Sequence, residues 1–218
     1  MKRHTLIIFD CDGTLVDSEP ASLAVLQQFV ADLGLTMSYD AVVRAFVGRA
    51  AAASLALMAT MLGRPLPEGS AEEWERREFE AFHRSGVPAV EGVADAIDRI
   101  TLPICVASSG SHARMAVTLG ASGLLHRFRA RLTGRIFSAT DVARGKPFPD
   151  LFLYAAERMG AEPGRCAVIE DSPAGVTAAV AAGMTAFAYA AGGHSDPAEL
   201  EHAGATVFFR MADLPGLL

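Results

Sequence analysis

Asp10 and Asp12 stand on either side of a cysteine in Asp10-Cys11-Asp12-Gly13-Thr14, directly after the apolar run Thr5-Leu-Ile-Ile-Phe9. A second pair of carboxylates, Glu170-Asp171-Ser172, follows the run Arg165-Cys-Ala-Val-Ile169. A hydroxyl pair, Ser108-Ser109-Gly110, follows Pro103-Ile-Cys-Val-Ala107. Lys146 sits in a proline-stiffened loop, Gly145-Lys146-Pro147-Phe148-Pro149-Asp150, ahead of a helical pattern. Ligands of open parallel sheets bind beyond the carboxyl ends of the strands. These segments would therefore gather four carboxylates, a hydroxyl pair and one ammonium on one rim. Clustered carboxylates repel one another and call for a cation. An all-oxygen set suits Mg²⁺, which accepts a few carboxylates and keeps its other positions for water and phosphate. Lys146 and backbone N–H groups would offset phosphate charge. A phosphate beside a free carboxylate invites attack by that carboxylate, giving an aspartyl-phosphate. A second carboxyl two residues on, past a sharp turn, can give a proton to the leaving oxygen and later take one from water.

Other chemistries lack their residues. The sequence contains no Gly-x4-Gly-Lys-Ser/Thr phosphate loop, no His-Glu-x-x-His and no Gly-x-Ser-x-Gly elbow. No cysteine is followed six residues later by an arginine, so Cys11 reads as a packing residue. Three cysteines, Cys11, Cys105 and Cys166, are too scattered for a disulfide framework or a zinc site. They are expected as reduced thiols, in a reducing compartment such as the cytoplasm. The chain is acidic, with 19 Lys and Arg against 25 Asp and Glu for a net charge of −6, and it has no basic block. Such a chain is expected to be a poor partner for nucleic acid or anionic membrane, whose binding rests on clustered Lys and Arg. The stretch between Asp171 and Asp196 carries no charge, but it is mostly Ala and Gly, and Gly183 would divide it into a helix and a strand rather than a membrane span.

Five apolar runs must hold these residues in place: the three above, Met184-Thr-Ala-Phe-Ala188 and Ala205-Thr-Val-Phe-Phe209. Each is short, continuous and β-branched or aromatic, as buried parallel strands are. Helical patterns alternate with them at about 111–120, 149–160 and 173–182, which predicts an α/β fold, a Rossmann-like parallel sheet with helices on both faces. Residues 18–90 break the alternation. Leu23, Leu26, Phe29, Val30 and Leu33 repeat at helical spacing, and Ser70 with Glu73 reads as a capping box opening a helix with Trp74, Phe79 and Phe82. An all-helical insertion over 18–90 is expected, leaving 1–17 and 91–218 as the core. Asp17, Ser18 and Glu19 would form the hinge and cap the first inserted helix. Asp150 reads as a helix cap, Ser108 as either a phosphate ligand or a cap, and Trp74 as core of the insertion. His112, in the first helical turn after Ser108, is a lesser candidate for the phosphate. Arg49, after Gly48, is either a substrate contact or a solvated arginine.

Asp10-Cys-Asp12-Gly-Thr14-Leu-Val-Asp17-Ser closely resembles the nucleophile motif of the haloacid dehalogenase-like phosphohydrolases, and Ser108, Lys146 and Glu170-Asp171 match that family's other three motifs in order and spacing. The insertion at 18–90 resembles the family's helical cap. The resemblance implies Asp10 as nucleophile and Mg²⁺ ligand, and Asp12 as general acid/base that ligates Mg²⁺ through its backbone carbonyl. It implies Ser108, Ser109 and Lys146 as phosphate ligands and Asp171 as a metal ligand, with Glu170 binding directly or through water. Thr14 would hydrogen-bond near Asp12 and steady the turn. Thr101-Leu-Pro-Ile-Cys-Val-Ala-Ser-Ser-Gly110 is similar to the same stretch of sugar-phosphate phosphatases, which implies hydrolysis of a small sugar or sugar-acid phosphate by a monomer or weak homodimer. The chain also resembles β-phosphoglucomutase, but Ser22 stands where such mutases carry a hinge histidine and Ala51 where they carry an arginine, and both departures favour hydrolysis. A non-catalytic phosphate-binding module of the same fold is the remaining alternative.

Overall fold

The computed structural model of the chain describes residues 4–46, 51–193 and 195–218. Arg49 and Gly48 lie outside the described residues. Among the described residues six parallel strands form one sheet: β1 (Leu6–Phe9), β2 (Ile104–Ser108), β3 (Ile136–Ser138), β4 (Cys166–Glu170), β5 (Thr185–Tyr189) and β6 (Thr206–Phe208), in the order β3-β2-β1-β4-β5-β6. All four residues of β1 and all five of β2 and of β4 are buried, so both faces of the centre of the sheet are covered. That is why these strands read as unbroken apolar runs rather than alternating ones. Each fully buried aliphatic side chain contributes about 1.5–3 kcal/mol.

The chain divides into two compact units, one running to Asp17 and resuming at Val87, the other Ser18–Gly86. The second unit contains α1 (Glu19–Asp32), α2 (Tyr39–Phe46), α3 (Ala51–Leu62) and α4 (Ser70–Ser85). Its core joins Leu26, Phe29, Val30, Val42, Phe46 and Met58, with Trp74 stacked on Phe29 at 5.9 Å between ring centroids. The second crossing, expected after residue 90, falls after Gly86. Pro88 O accepts from Asp17 N–H and Leu15 O accepts from Val90 N–H, which ties 87–90 to the sheet unit.

The sheet unit adds α5 (Val93–Arg99), α6 (His112–Ala121), the short α7 (Leu124–Arg127) and α8 (Arg129–Leu132), α9 (Asp150–Arg158), α10 (Pro173–Ala181), α11 (Pro197–His202) and α12 (Leu214–Leu217). Leu151, Phe152, Ala155 and Ala156 of α9 and Val176, Ala178 and Ala179 of α10 pack on Leu6, Ile8, Cys105 and Val168 of the sheet. Gly183, at φ +73°, ends α10 and releases the chain into β5. Among the described residues no helix is long and apolar enough to cross a membrane.

Two local expectations are corrected, and one strand is added. Strand β3 was not anticipated, because three residues after Gly134 carry too little pattern. Ser70 is the first residue of α4 rather than its cap. Gly69, at φ +80°, takes the cap position, and the Ser70 hydroxyl donates backward to Pro67 O at 2.7 Å, so no capping box forms. Asp150 likewise opens α9 from inside the helix, with Pro149 at the cap position, and its carboxylate accepts two bonds from Arg144 at 3.0 and 2.9 Å.

Candidate active site

The register of the sheet brings the acidic residues together. Phe9 pairs with Ile169 across β1 and β4, so Asp10 and Glu170 are the next residue on each of two neighbouring strands. Asp10 N–H still donates to Ile169 O at 2.9 Å, which holds Asp10 level with the strand end. The chain then turns through Gly13, at φ +79°, whose N–H donates to Val16 O at 2.8 Å. Only glycine takes that backbone shape without strain. It also fits for a second reason: a Cβ there would overlap the carboxylate of Asp171.

Asp10, Glu170 and Asp171 are all buried, and each offers a carboxylate oxygen within 4.8 Å of the others. Lys146 enters from the loop before α9. Its ammonium donates to Asp10 Oδ1 and, at 2.5 Å, to Glu170 Oε1, and it lies 5.0 Å from the centre of the Phe152 ring. The side chains of Lys146 and Asp10 are 5% and 9% exposed and that of Glu170 is fully buried, so little solvent screens these pairs. The other oxygen of Glu170 accepts from Asp171 N–H at 3.1 Å, Ser172 N–H at 3.0 Å and the Ser172 hydroxyl at 2.8 Å. A Cβ at Gly175 would overlap this carboxylate, so α10 approaches it as closely as a backbone can. Burial pushes the Asp10 carboxyl up to about 7; the Lys146 ammonium pulls it down and the Glu170 carboxylate adds to the rise. Burial opposes the Lys146 charge, but Asp10 and Glu170 outweigh it and hold its pKa above the ordinary lysine range.

Ser108, at the end of β2, is buried, and its hydroxyl accepts from Gly110 N–H at 3.1 Å. Ser109 beside it is exposed. Ser108 does not cap the following helix. Ser111 does, accepting from Arg114 N–H at 3.1 Å. Gly110 lies between Ser108 and Asp12: a Cβ there would stand 3.5 Å from Ser108 Oγ and 3.6 Å from Asp12 Oδ2. Asp12 and Ser108 thus meet around Gly110 at the end of β2, and Lys146, Asp10, Glu170 and Asp171 cluster at the ends of the neighbouring β1 and β4.

Sequence reasoning missed Arg114, whose Nε donates to Asp12 Oδ2 at 3.1 Å. Its only local signal is its place three residues after the capping Ser111. Thr14 departs from expectation: it is fully buried, and among the described residues its hydroxyl oxygen has no hydrogen-bond partner, so it fills the turn by packing. His112 binds Asp141, with Nε2 at 2.9 and 3.0 Å from the two carboxylate oxygens. Cys11 is fully buried, its Sγ 3.8 Å from Thr118 Oγ1, and burial together with the charges of Asp12 and Asp10 pushes its thiol well up. A thiolate nucleophile is not available there.

The donor set is all oxygen and carries three carboxylates in a space that two glycines leave open, which fits a hard divalent cation. Residues 4–183 match the family described as haloacid dehalogenase-like hydrolase. The 6-phosphogluconate phosphatase of Escherichia coli K12 is 32% identical over 217 residues, 100% of this chain and 96% of that protein. Hexitol phosphatase A of the same organism is 32% identical over 186 residues, 83% of this chain and 81% of its own length. A HAD family hydrolase from Deinococcus radiodurans R1, solved with bound phosphate and sodium, superposes with a TM-score of 0.78 at 31% identity, covering 100% of this chain and 99% of that one. The family match takes in every strand-end segment from Asp10 to Asp171, and this chain belongs to the haloacid dehalogenase-like hydrolases.

Proposed function

We propose that this chain is a Mg²⁺-dependent phosphatase that hydrolyses a small sugar or sugar-acid phosphomonoester through an aspartyl-phosphate on Asp10. The observation that carries this reading is the Lys146 ammonium between Asp10 and Glu170, with Asp171 in the same buried cluster. The Asp10 carboxylate thereby serves both the Lys146 ammonium and the acidic cluster that would hold a cation. A similarity of 32% along the whole chain to a 6-phosphogluconate phosphatase supports the substrate class. Three buried free thiols suit a cytoplasmic setting.

Asp10, Glu170, Asp171 and the backbone carbonyl of Asp12 would hold Mg²⁺, which when bound supplies positive charge to the phosphate oxygens. Lys146, the Ser108 hydroxyl and N–H groups around Ser109 bind and orient the phosphoryl group. The Asp10 carboxylate forms a bond to phosphorus as the bond to the ester oxygen breaks, and Asp12 delivers a proton to that oxygen, releasing the alcohol. Asp12, now a carboxylate, takes a proton from water as the water oxygen bonds to phosphorus and the Asp10 bond breaks, releasing inorganic phosphate. Residues Ser18–Gly86 form a compact helical unit, and on this reading that unit is the cap that reads the non-phosphate part of the substrate.

The test is phosphate release from a panel of phosphometabolites that includes 6-phosphogluconate and glucose 6-phosphate, with Mg²⁺ and with EDTA, alongside isomerisation of β-glucose 1-phosphate. Mg²⁺-dependent phosphate release is expected. Isomerisation without release, or no turnover of any ester, would overturn the reading.

A further inference from the structure

Asp12 is the one proposed catalytic group whose side chain is neither deeply buried nor fixed by the Lys146 cluster: it is 26% exposed. A carboxylate two bonds from its backbone on a turn can sample several rotamers. Proton delivery tolerates little such freedom, because small misplacements of a catalytic group cost large factors in rate.

The structure supplies a restraint from a different element. Arg114 lies in the first turn of α6, and its backbone is set by the Ser111 cap. Its side chain is 18% exposed, and Nε reaches Asp12 Oδ2 at 3.1 Å. The path it takes crosses Gly110, where a Cβ would lie 3.1 Å from Arg114 Cδ, tighter than side chains ordinarily pack. A side chain at position 110 would press on the arginine stem while only touching Ser108 Oγ and Asp12 Oδ2, so the bare glycine is what leaves the arginine its path. The helix cap, the bare glycine and the guanidinium thus act together on the Asp12 carboxylate. A guanidinium is directional where an ammonium is a point charge, so it fixes an orientation and not merely a distance.

We propose that Arg114 is a positioning residue for Asp12, holding its carboxyl group in the orientation from which it protonates the departing ester oxygen. The inference rests on the acid/base role given to Asp12 above. It makes a specific demand on leaving groups. An alkoxide needs that proton to depart, whereas p-nitrophenolate departs without it. Loss of Arg114 must therefore harm an alkyl ester far more than an aryl ester.

The experiment compares kcat/KM for 6-phosphogluconate and for p-nitrophenyl phosphate in the wild-type chain, R114A and R114K, with thermal melts to confirm folding. This parameter reports the steps through departure of the leaving group, so the later attack of water does not obscure it. For R114A, kcat/KM on the alkyl ester is expected to fall about 30-fold or more, and on the aryl ester less than about threefold. R114K keeps a cation and the helix, and should show the same selective loss at smaller size; it carries the test if R114A does not fold. Equal losses on both esters, or no loss on the alkyl ester, would overturn the positioning role while leaving the phosphatase reading intact. A wild-type chain that hydrolyses neither ester would instead remove the reading on which it rests.

Discussion

Lys146 and Glu170 are 24 residues apart in sequence and 2.5 Å apart at Nζ and Oε1, in a place where one side chain is 5% exposed and the other is not exposed at all. The same ammonium reaches Asp10, so one cation offsets two buried carboxylates. Removing one partner of a buried pair leaves an uncompensated charge, which costs about 3–5 kcal/mol. Lys146→Met, which keeps most of the volume, is therefore expected to lower the unfolding free energy of the metal-free protein by a margin of that order, read as a lower urea midpoint, with added Mg²⁺ recovering part of it. Turnover should fall about 100-fold or more, as expected when a group facing the transferring charge is lost. An unchanged midpoint together with near-normal turnover would remove Lys146 from the site.

Asp10→Asn keeps the shape of the side chain and removes its charge. Turnover should be abolished while the melting profile stays cooperative; substantial remaining activity would exclude Asp10 as nucleophile. The variant also has a pH signature. The Asp10 carboxyl is raised to about 7 in the folded metal-free chain, from 3.8 when unperturbed. Between those values the folded chain holds a proton that the unfolded chain has lost. The associated stability is fully present below about pH 4 and lost as pH rises through 7. Urea titrations of the metal-free proteins should show a downward slope over that window in the wild type and a flatter one in D10N. Parallel slopes would refute the assignment.

The strand-end carboxylates were legible in the sequence because each follows an apolar run, and a run buried on both faces has to end where the sheet meets solvent or ligand. Lys146 was legible because two prolines stiffen the loop that carries it. What escaped is non-local. Arg114 looks like any surface arginine in the first turn of a helix until the missing side chain of Gly110, four residues away, opens its path to an aspartate 102 residues earlier. Ser70 satisfied the Ser-x-x-Glu pattern, yet the left-handed conformation open to Gly69 started the helix one residue sooner. Thr14 was expected to bond near Asp12, but the turn satisfies its backbone through Gly13 and Val16 and leaves the hydroxyl only a packing role.

His4 gives the chain a second and opposite pH dependence. It is buried, its Nδ1 has no hydrogen-bond partner among the described residues, and its ring meets the edge of Phe187 at 6.1 Å. Burial lowers its pKa from 6.5. The neutral ring is therefore favoured in the folded chain, and stability is present above pH 6.5 and lost as pH falls and the unfolded chain takes up the proton. His4→Phe should lose less stability than the wild type between pH 7 and pH 5.5 in thermal melts. A wild-type curve that parallels the variant over that range would show that His4 carries no such linkage.

Two glycine-to-alanine substitutions should have opposite signs. Gly120 is exposed within α6, has nothing within 4 Å of its would-be Cβ, and has an ordinary helical backbone. Alanine there removes unfolded-state freedom and should stabilise the chain by about 0.5–1 kcal/mol. Gly175 is also within a helix, but its would-be Cβ overlaps the carboxylate of Glu170. Glu170 has nowhere to retreat, since Lys146, Asp171 N–H, Ser172 N–H and the Ser172 hydroxyl all hold it. The first turn of α10 must move instead, at a cost of about 1–3 kcal/mol for overpacking, which outweighs the gain in helix propensity. Because that movement displaces Glu170 and Asp171, G175A should also need a higher Mg²⁺ concentration for half-maximal activity, whereas G120A should not. Melting temperatures and Mg²⁺ activation curves measured side by side check both halves, and a G175A protein that melts above the wild type and activates at the same Mg²⁺ concentration would show that α10 does not bear on the acidic cluster.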